Sequence, residues 1–165
     1  MNKARYSPAD EMEHVIALLM PQNQLVARVA LETGLRVGDI VSLRESALKQ
    51  TMRVKQSKTG KPVTVRLSRP LLRALRANCA GGWVFPGRKP GTHRARQTVW
   101  KDVARARRAL RLRGTVSPHT WRKVYAVELY RKYGDIETVQ KALGHENPLV
   151  TTLYALADTL TAKAR

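Results

Sequence analysis

Apolar residues recur at helical spacing along most of the chain, with one interval where the period falls to two. Ser7-Pro8-Ala9-Asp10 reads as a helix start with an approximate capping box, followed by the stripe Met12, Val15, Ile16 and Leu19. Asp10 and Glu13 fall near that N-terminus, where negative charge is favoured. Pro21 breaks the chain. Gln22–Thr33 is predicted as a second helix with Leu25, Val26, Val29 and Ala30 facing inward, ended by Gly34. A third helix follows, bearing Ile40, Val41 and Leu43. From Thr51 to Leu67 the alternation of Met52 and Val54, then Val63, Val65 and Leu67, predicts a hairpin with Ser57–Pro62 as its loop.

Ser68 caps a helix to Asn78 that buries Leu71, Leu72 and Leu75 and turns Arg69, Arg73 and Arg76 outward. Trp83-Val84-Phe85-Pro86 reads as a short buried extended segment, and the following stretch to Gln97 as a basic loop. Gln97–Arg113 is a long basic helix with Val99, Val103, Ala106 and Leu110 inside. Ser117 and Pro118 open another, which stops at Gly134, and Asp135–Leu143 is a shorter one stopped by Gly144. A last short helix is expected to begin near Pro148. The fold class is therefore mainly α with one small antiparallel β-hairpin sheet (α+β), and residues 1–165 read as a single domain.

Charge changes this picture more than composition does. Hydrophobic content of 43% suits an ordinary core, but 31 Lys and Arg face 12 Asp and Glu, a net +19. A domain this basic meets a polyanion, and double-stranded nucleic acid is the leading candidate. The loop residues Arg88, Lys89, Arg94 and Arg96 and the helix residues Lys101, Arg105 and Arg108 are the expected backbone and groove contacts. Cys79 is the single cysteine, so no intramolecular disulfide forms, in keeping with a reducing cytoplasm. No Cys/His cluster suggests zinc, and no apolar run approaches the roughly 20 residues of a membrane span.

The candidate chemistry begins at His119 and Arg122. Three residues apart on a helix, they share a face with Ala126, Leu129 and Tyr133. Tyr125, Tyr130 and Tyr133 read as core tyrosines. An arginine on an inward stripe needs a partner, no acidic residue occupies a neighbouring position, and a phosphate would serve. Arg36 lies just past Gly34 at a helix head, where backbone N–H groups also favour an anion. The residues alone leave two readings of Arg36 open: an anion site, or a surface arginine pairing with Asp39.

The succession of HTWR at 119–122, LGH at 143–145 and Tyr154 nine residues on resembles the tyrosine recombinase (phage integrase) family, in its catalytic domain. TGLRVGDIVSL supplies Arg36 with Asp39 three residues later, and QSKTGKPVTV supplies Lys58 in the hairpin, with Lys55 and Lys61 as rivals for its role. The resemblance implies a recombinase-like fold and six catalytic residues: Arg36, Lys58, His119, Arg122, His145 and Tyr154. Arg36 and Arg122 would clamp the phosphate, with Asp39 bracing the Arg36 guanidinium and His145 adding a hydrogen bond. Forked guanidinium donors suit a phosphoryl transition state and supply several kcal/mol of its stabilisation. His119 would act as base for Tyr154, whose phenol has a pKa near 10, and Lys58 would protonate the leaving 5′ oxygen.

The resemblance further implies double-stranded DNA as substrate, a 3′-phosphotyrosyl intermediate, and neither cofactor nor metal. It also implies a prokaryotic or phage-encoded protein acting in the cytoplasm. The N-terminal DNA-binding domain usual in the family is absent from this chain, and residues 155–165 are a short tail. Homo-tetramers are therefore expected on paired sites, and a monomer alone. The alternatives are type IB topoisomerase-like relaxation of DNA, or a DNA-binding regulator that has lost catalysis.

Overall fold

The structure is a computed structural model describing the backbone of residues 8–112 and 116–144, with side chains from residue 11 onward. His145, Tyr154 and the tail at 155–165 lie outside the described residues. The described elements are α1 (Pro8–Ala17), α2 (Pro21–Thr33), α3 (Val37–Val41), a 3-10 turn at Glu45–Ala47, β1 (Thr51–Lys55), β2 (Pro62–Arg66), α4 (Arg69–Asn78), α5 (Arg96–Ala109), α6 (Pro118–Tyr133) and α7 (Ile136–Leu143).

Helix α2 is the hub. Its Val26, Ala27, Val29 and Ala30 are fully buried, and it packs against α1, α3, α4, α6 and β2. Small and β-branched residues there let several elements approach one helix closely. Strands β1 and β2 pair antiparallel in the register Met52↔Val65 and Val54↔Val63, so all four apolar side chains fall on one face against the helices. Outside the main core, α6 and α7 enclose a satellite cluster of Ala126, Val139 and Leu143, with Tyr125, Leu129 and Tyr130 packed on it.

Two local expectations differ, and one buried acid was not expected. Helix α5 ends at Ala109 rather than Arg113: Arg111 adopts a left-handed φ of 51° just beyond it, while Leu110 and Leu112 turn onto the core. Tyr133, expected in the core, is 53% exposed, because it stands in the last turn of α6 past the satellite cluster. A buried acid that the sequence did not advertise ties α5 to the α1–α2 turn. The Asp102 carboxylate accepts from Met20 N (2.7 Å), Asn23 Nδ2 (2.7 Å) and the Arg105 guanidinium (2.7 Å).

Candidate active site

Two glycine-terminated helix ends build the floor of the site. Gly34 ends α2 and Gly144 ends α7, both left-handed at φ 67° and 62°. Each sits under a close neighbour: a Cβ on Gly34 would lie 2.3 Å from the Tyr125 ring, and one on Gly144 3.0 Å from Gln56 Oε1. A side chain at either position would be strained, most severely at Gly34. The turns aim two carbonyls at one point, and the Arg122 guanidinium takes both. Nη1 donates to Gly34 O, and Nη2 donates to Leu143 O at 2.7 Å.

Arg122 is 95% buried in effect, with only 5% of its surface exposed. In this structure two of its donors are held by the negative ends of two helices. The two carbonyls orient the guanidinium.

Arg36 is the residue before α3, half-buried, and its Nη1 donates to Gln56 Oε1 at 2.7 Å. Asp39 does not brace it. The Asp39 carboxylate, 3% exposed, accepts instead from Ser57 N (2.9 Å) and Ser57 Oγ (2.6 Å), so it anchors the start of the hairpin loop. One helical turn inside α3, the carboxylate reaches the hairpin while the Arg36 side chain is drawn to Gln56.

Arg36, Ser57, Lys58, Arg96, Gln97, Trp100 and His119 line a cleft of about 650 Å³. Lys58 stands in it from the hairpin loop. Lys61 lies in a different groove with Glu137 and Lys141, and Lys55 is exposed at the end of β1, so the cleft favours Lys58 among the three. His119 is at the cleft rim, edge-on to Trp100. Burial by its surroundings, then the charges of Arg122, Arg36, Lys123 and Lys58, push its imidazole pKa below the ordinary value. It is therefore neutral at pH 7, the form that accepts a proton. Tyr125 is the reverse case. Burial raises its hydroxyl pKa, aided by Tyr133 and opposed by Arg122, so it is a poor nucleophile.

The expected DNA contacts divide. Arg88, Lys89, Lys101 and Arg108 are exposed, and Arg96 is exposed on the cleft wall. Arg94 is occupied internally: its Nε donates to Asn23 Oδ1 at 2.6 Å and its Nη1 to Gln22 Oε1 at 3.4 Å. Arg105 pairs with Asp102 and also donates to Leu18 O. His93, which carried no expected role, packs edge-on against Trp83 with centroids 4.9 Å apart.

Sequence reasoning missed Gln56, Ser57, Asp102 and Trp100. Gln56 had a signal. It continues the inward register of Met52 and Val54, and a polar residue at an inward strand position needs buried partners. Trp100 and Asp102 gave none, because their partners lie on other elements.

Among the described residues, no group of three or more His, Cys, Asp or Glu side chains is placed to hold a metal ion, and no helix is long and apolar enough to cross a membrane. Residues 7–160 match the profile of the Phage integrase family. The chain is 33% identical over 134 residues to tyrosine recombinase XerD of Rhizobium meliloti (strain 1021), covering 74% of this chain and 43% of that one. It is 31% identical over 150 residues to tyrosine recombinase XerC of Brucella melitensis biotype 1, covering 84% and 47%. The chain spans about half the length of the curated relatives it matches. A lambda integrase dimer bound to a COC′ core site shares the fold, with a TM-score of 0.76 at 22% identity over 93% of this chain and 50% of that one.

Proposed function

The chain belongs to the Phage integrase family, and from that premise we propose that it is the catalytic part of a site-specific DNA recombinase. The observation that carries the reading is the convergence of Arg36, Lys58 and His119 on one cleft, with the buried Arg122 joined to Arg36 through Leu143 O and Gln56. Three separate segments bring these groups together, and together they suit a phosphodiester and its transition state.

In this reading the Tyr154 oxygen attacks a DNA phosphorus, its proton passing to neutral His119. Arg36 and Arg122 donate to the non-bridging oxygens, and His145 adds a third hydrogen bond. The bond to the 5′ oxygen breaks, that oxygen takes a proton from Lys58, and a 3′-phosphotyrosyl ester remains. A 5′-hydroxyl attacking the ester reverses each transfer and reseals the strand, so no external energy source is consumed. One tyrosine cuts one strand, so exchange between two duplexes needs several protomers, a tetramer on paired sites. Double-stranded DNA is the partner, met through the exposed basic residues, and the cytoplasm is where a bacterial chromosome supplies it.

A pool of suicide duplexes with a randomised core tests the proposal. Wild-type protein should form a covalent adduct that survives a denaturing gel, in EDTA as well, and Tyr154→Phe should form none. An adduct that persists in Tyr154→Phe overturns the assignment. A two-site plasmid built from the recovered duplex should give inversion or excision; relaxation alone would mark a topoisomerase.

A further inference from the structure

Gln56 lies between the two arginines and touches the machinery on every side. Its side chain is fully buried. Oε1 accepts from Arg36 Nη1 at 2.7 Å and from Thr59 Oγ1 at 3.2 Å. Nε2 donates to Leu143 O at 2.9 Å, the same carbonyl that accepts from Arg122 Nη2. A continuous chain of hydrogen bonds therefore runs from Arg36 through the Gln56 amide and the Leu143 carbonyl to Arg122. The Gln56 backbone also closes the loop that carries Lys58: its N–H donates to Lys61 O at 2.9 Å, and its carbonyl accepts from Gly60 N at 2.8 Å.

We propose that Gln56 is a positioning residue that sets the spacing of Arg36 and Arg122 and couples it to the Lys58 loop and the Leu143–Gly144 turn. The inference rests on the recombinase reading above. The position asks for an acceptor toward Arg36 and a donor toward Leu143 O, and a primary amide supplies both. It also asks for neutrality. Arg36 makes no ion pair among the described residues, so its charge stays available to a phosphate, whereas a carboxylate at 56 would quench it. Asparagine has the same chemistry on a shorter stem, and a Cβ at Gly144 would come within 3.0 Å of the Gln56 amide oxygen, so the turn and the glutamine are close neighbours.

The test compares Gln56→Met, which keeps length without hydrogen bonds, and Gln56→Glu, which accepts from Arg36 but cannot donate to Leu143 O. Single-turnover cleavage of the duplex recovered from the suicide pool is measured at saturating protein, with affinity for the same duplex and Tm alongside. Both variants should cleave about 10- to 100-fold more slowly, the worth of one charge-assisted hydrogen bond, while affinity changes by less than about threefold. In an Arg36→Lys background Gln56→Met should cost clearly less than in wild type, because the part of its effect carried by the Arg36 guanidinium is already lost. A merely structural glutamine would give additive losses in that background and overturn the proposal. Wild-type rates in a folded Gln56→Met would also overturn it; should that variant not fold, a wild-type rate in Gln56→Glu would do so. An active wild type with unaffected variants removes only the positioning role, whereas a wild type that forms no adduct removes the recombinase reading with it.

Discussion

The His119 imidazole meets the Trp100 indole edge-on, with ring centroids 5.8 Å apart and planes inclined at 77°. Trp100 comes from α5 and His119 from the first turn of α6, so the contact joins the helix expected to meet DNA to the expected general base. The indole removes water from one side of the imidazole, and burial is the largest cause of its lowered pKa. In Trp100→Ala that face is rehydrated and the imidazole pKa rises toward about 6.5. A base works deprotonated, so the acidic limb of the kcat/KM profile for cleavage should move to higher pH, with little change above pH 8. An unmoved limb would show that Trp100 does not govern His119.

Arg122→Lys should keep the charge and lose the fork. One ammonium cannot reproduce the planar pair of donors held by Gly34 O and Leu143 O. Adduct formation should fall by about 100-fold or more at unchanged DNA affinity. Arg122→Ala should in addition lower stability by about 2–4 kcal/mol, since Gly34 O loses its side-chain donor and Leu143 O keeps only the one from Gln56; urea unfolding reads the difference.

Gly34→Ala should cost about 2–4 kcal/mol, combining a left-handed residue with a Cβ driven into the Tyr125 ring. Thermal melting should show a drop of roughly 10 °C. Because Gly34 O holds Arg122, cleavage should fall in any fraction that stays folded. A variant as stable as wild type would contradict the packing at this turn.

Asp102 gives the acid limb of stability. Burial favours its neutral form, but hydrogen bonds from Asn23, Met20 and Arg105 outweigh burial and hold its pKa below the ordinary carboxylate value. The folded state then binds fewer protons than the unfolded one. The resulting stabilisation is present above pH about 4 and is lost as pH falls through the folded pKa. Asp102→Asn should cost about 2–4 kcal/mol at pH 7. Its gap to wild type in denaturant midpoints should close toward pH 3.

Lys101→Ala and Arg108→Ala should each lower the slope of log affinity against log salt by about one, as expected when one phosphate contact disappears. Arg94→Ala should leave that slope alone and instead lower Tm, because its guanidinium is spent on Asn23 and Gln22. A reduced slope in Arg94→Ala would return it to the DNA-binding surface.

The helices and the hairpin were legible in the pattern because each depends on local spacing, capping and glycine stops. Ser68, Gly34, Gly134 and Gly144 mark ends that the structure keeps. Arg36, Lys58, His119 and Arg122 were singled out as a set through motif spacing, and three of them line one cleft. Asp39 shows where spacing misleads. Its position three residues after Arg36 allows a pairing along one helix, but a tertiary neighbour, Ser57, captures the carboxylate first.

The sequence by itself determined the elements, the basic character and the family, since those rest on residue types and on distances along the chain. Only the tertiary structure decided what each cation touches, because that depends on partners 70 or more residues away, as for Arg94 with Asn23 and Arg122 with Gly34. It also placed the Gln56 amide between Arg36 and the Leu143 carbonyl that Arg122 shares. A buried amide between two helix ends and a hairpin is a relation among segments, and a one-dimensional pattern carries no record of which segments touch.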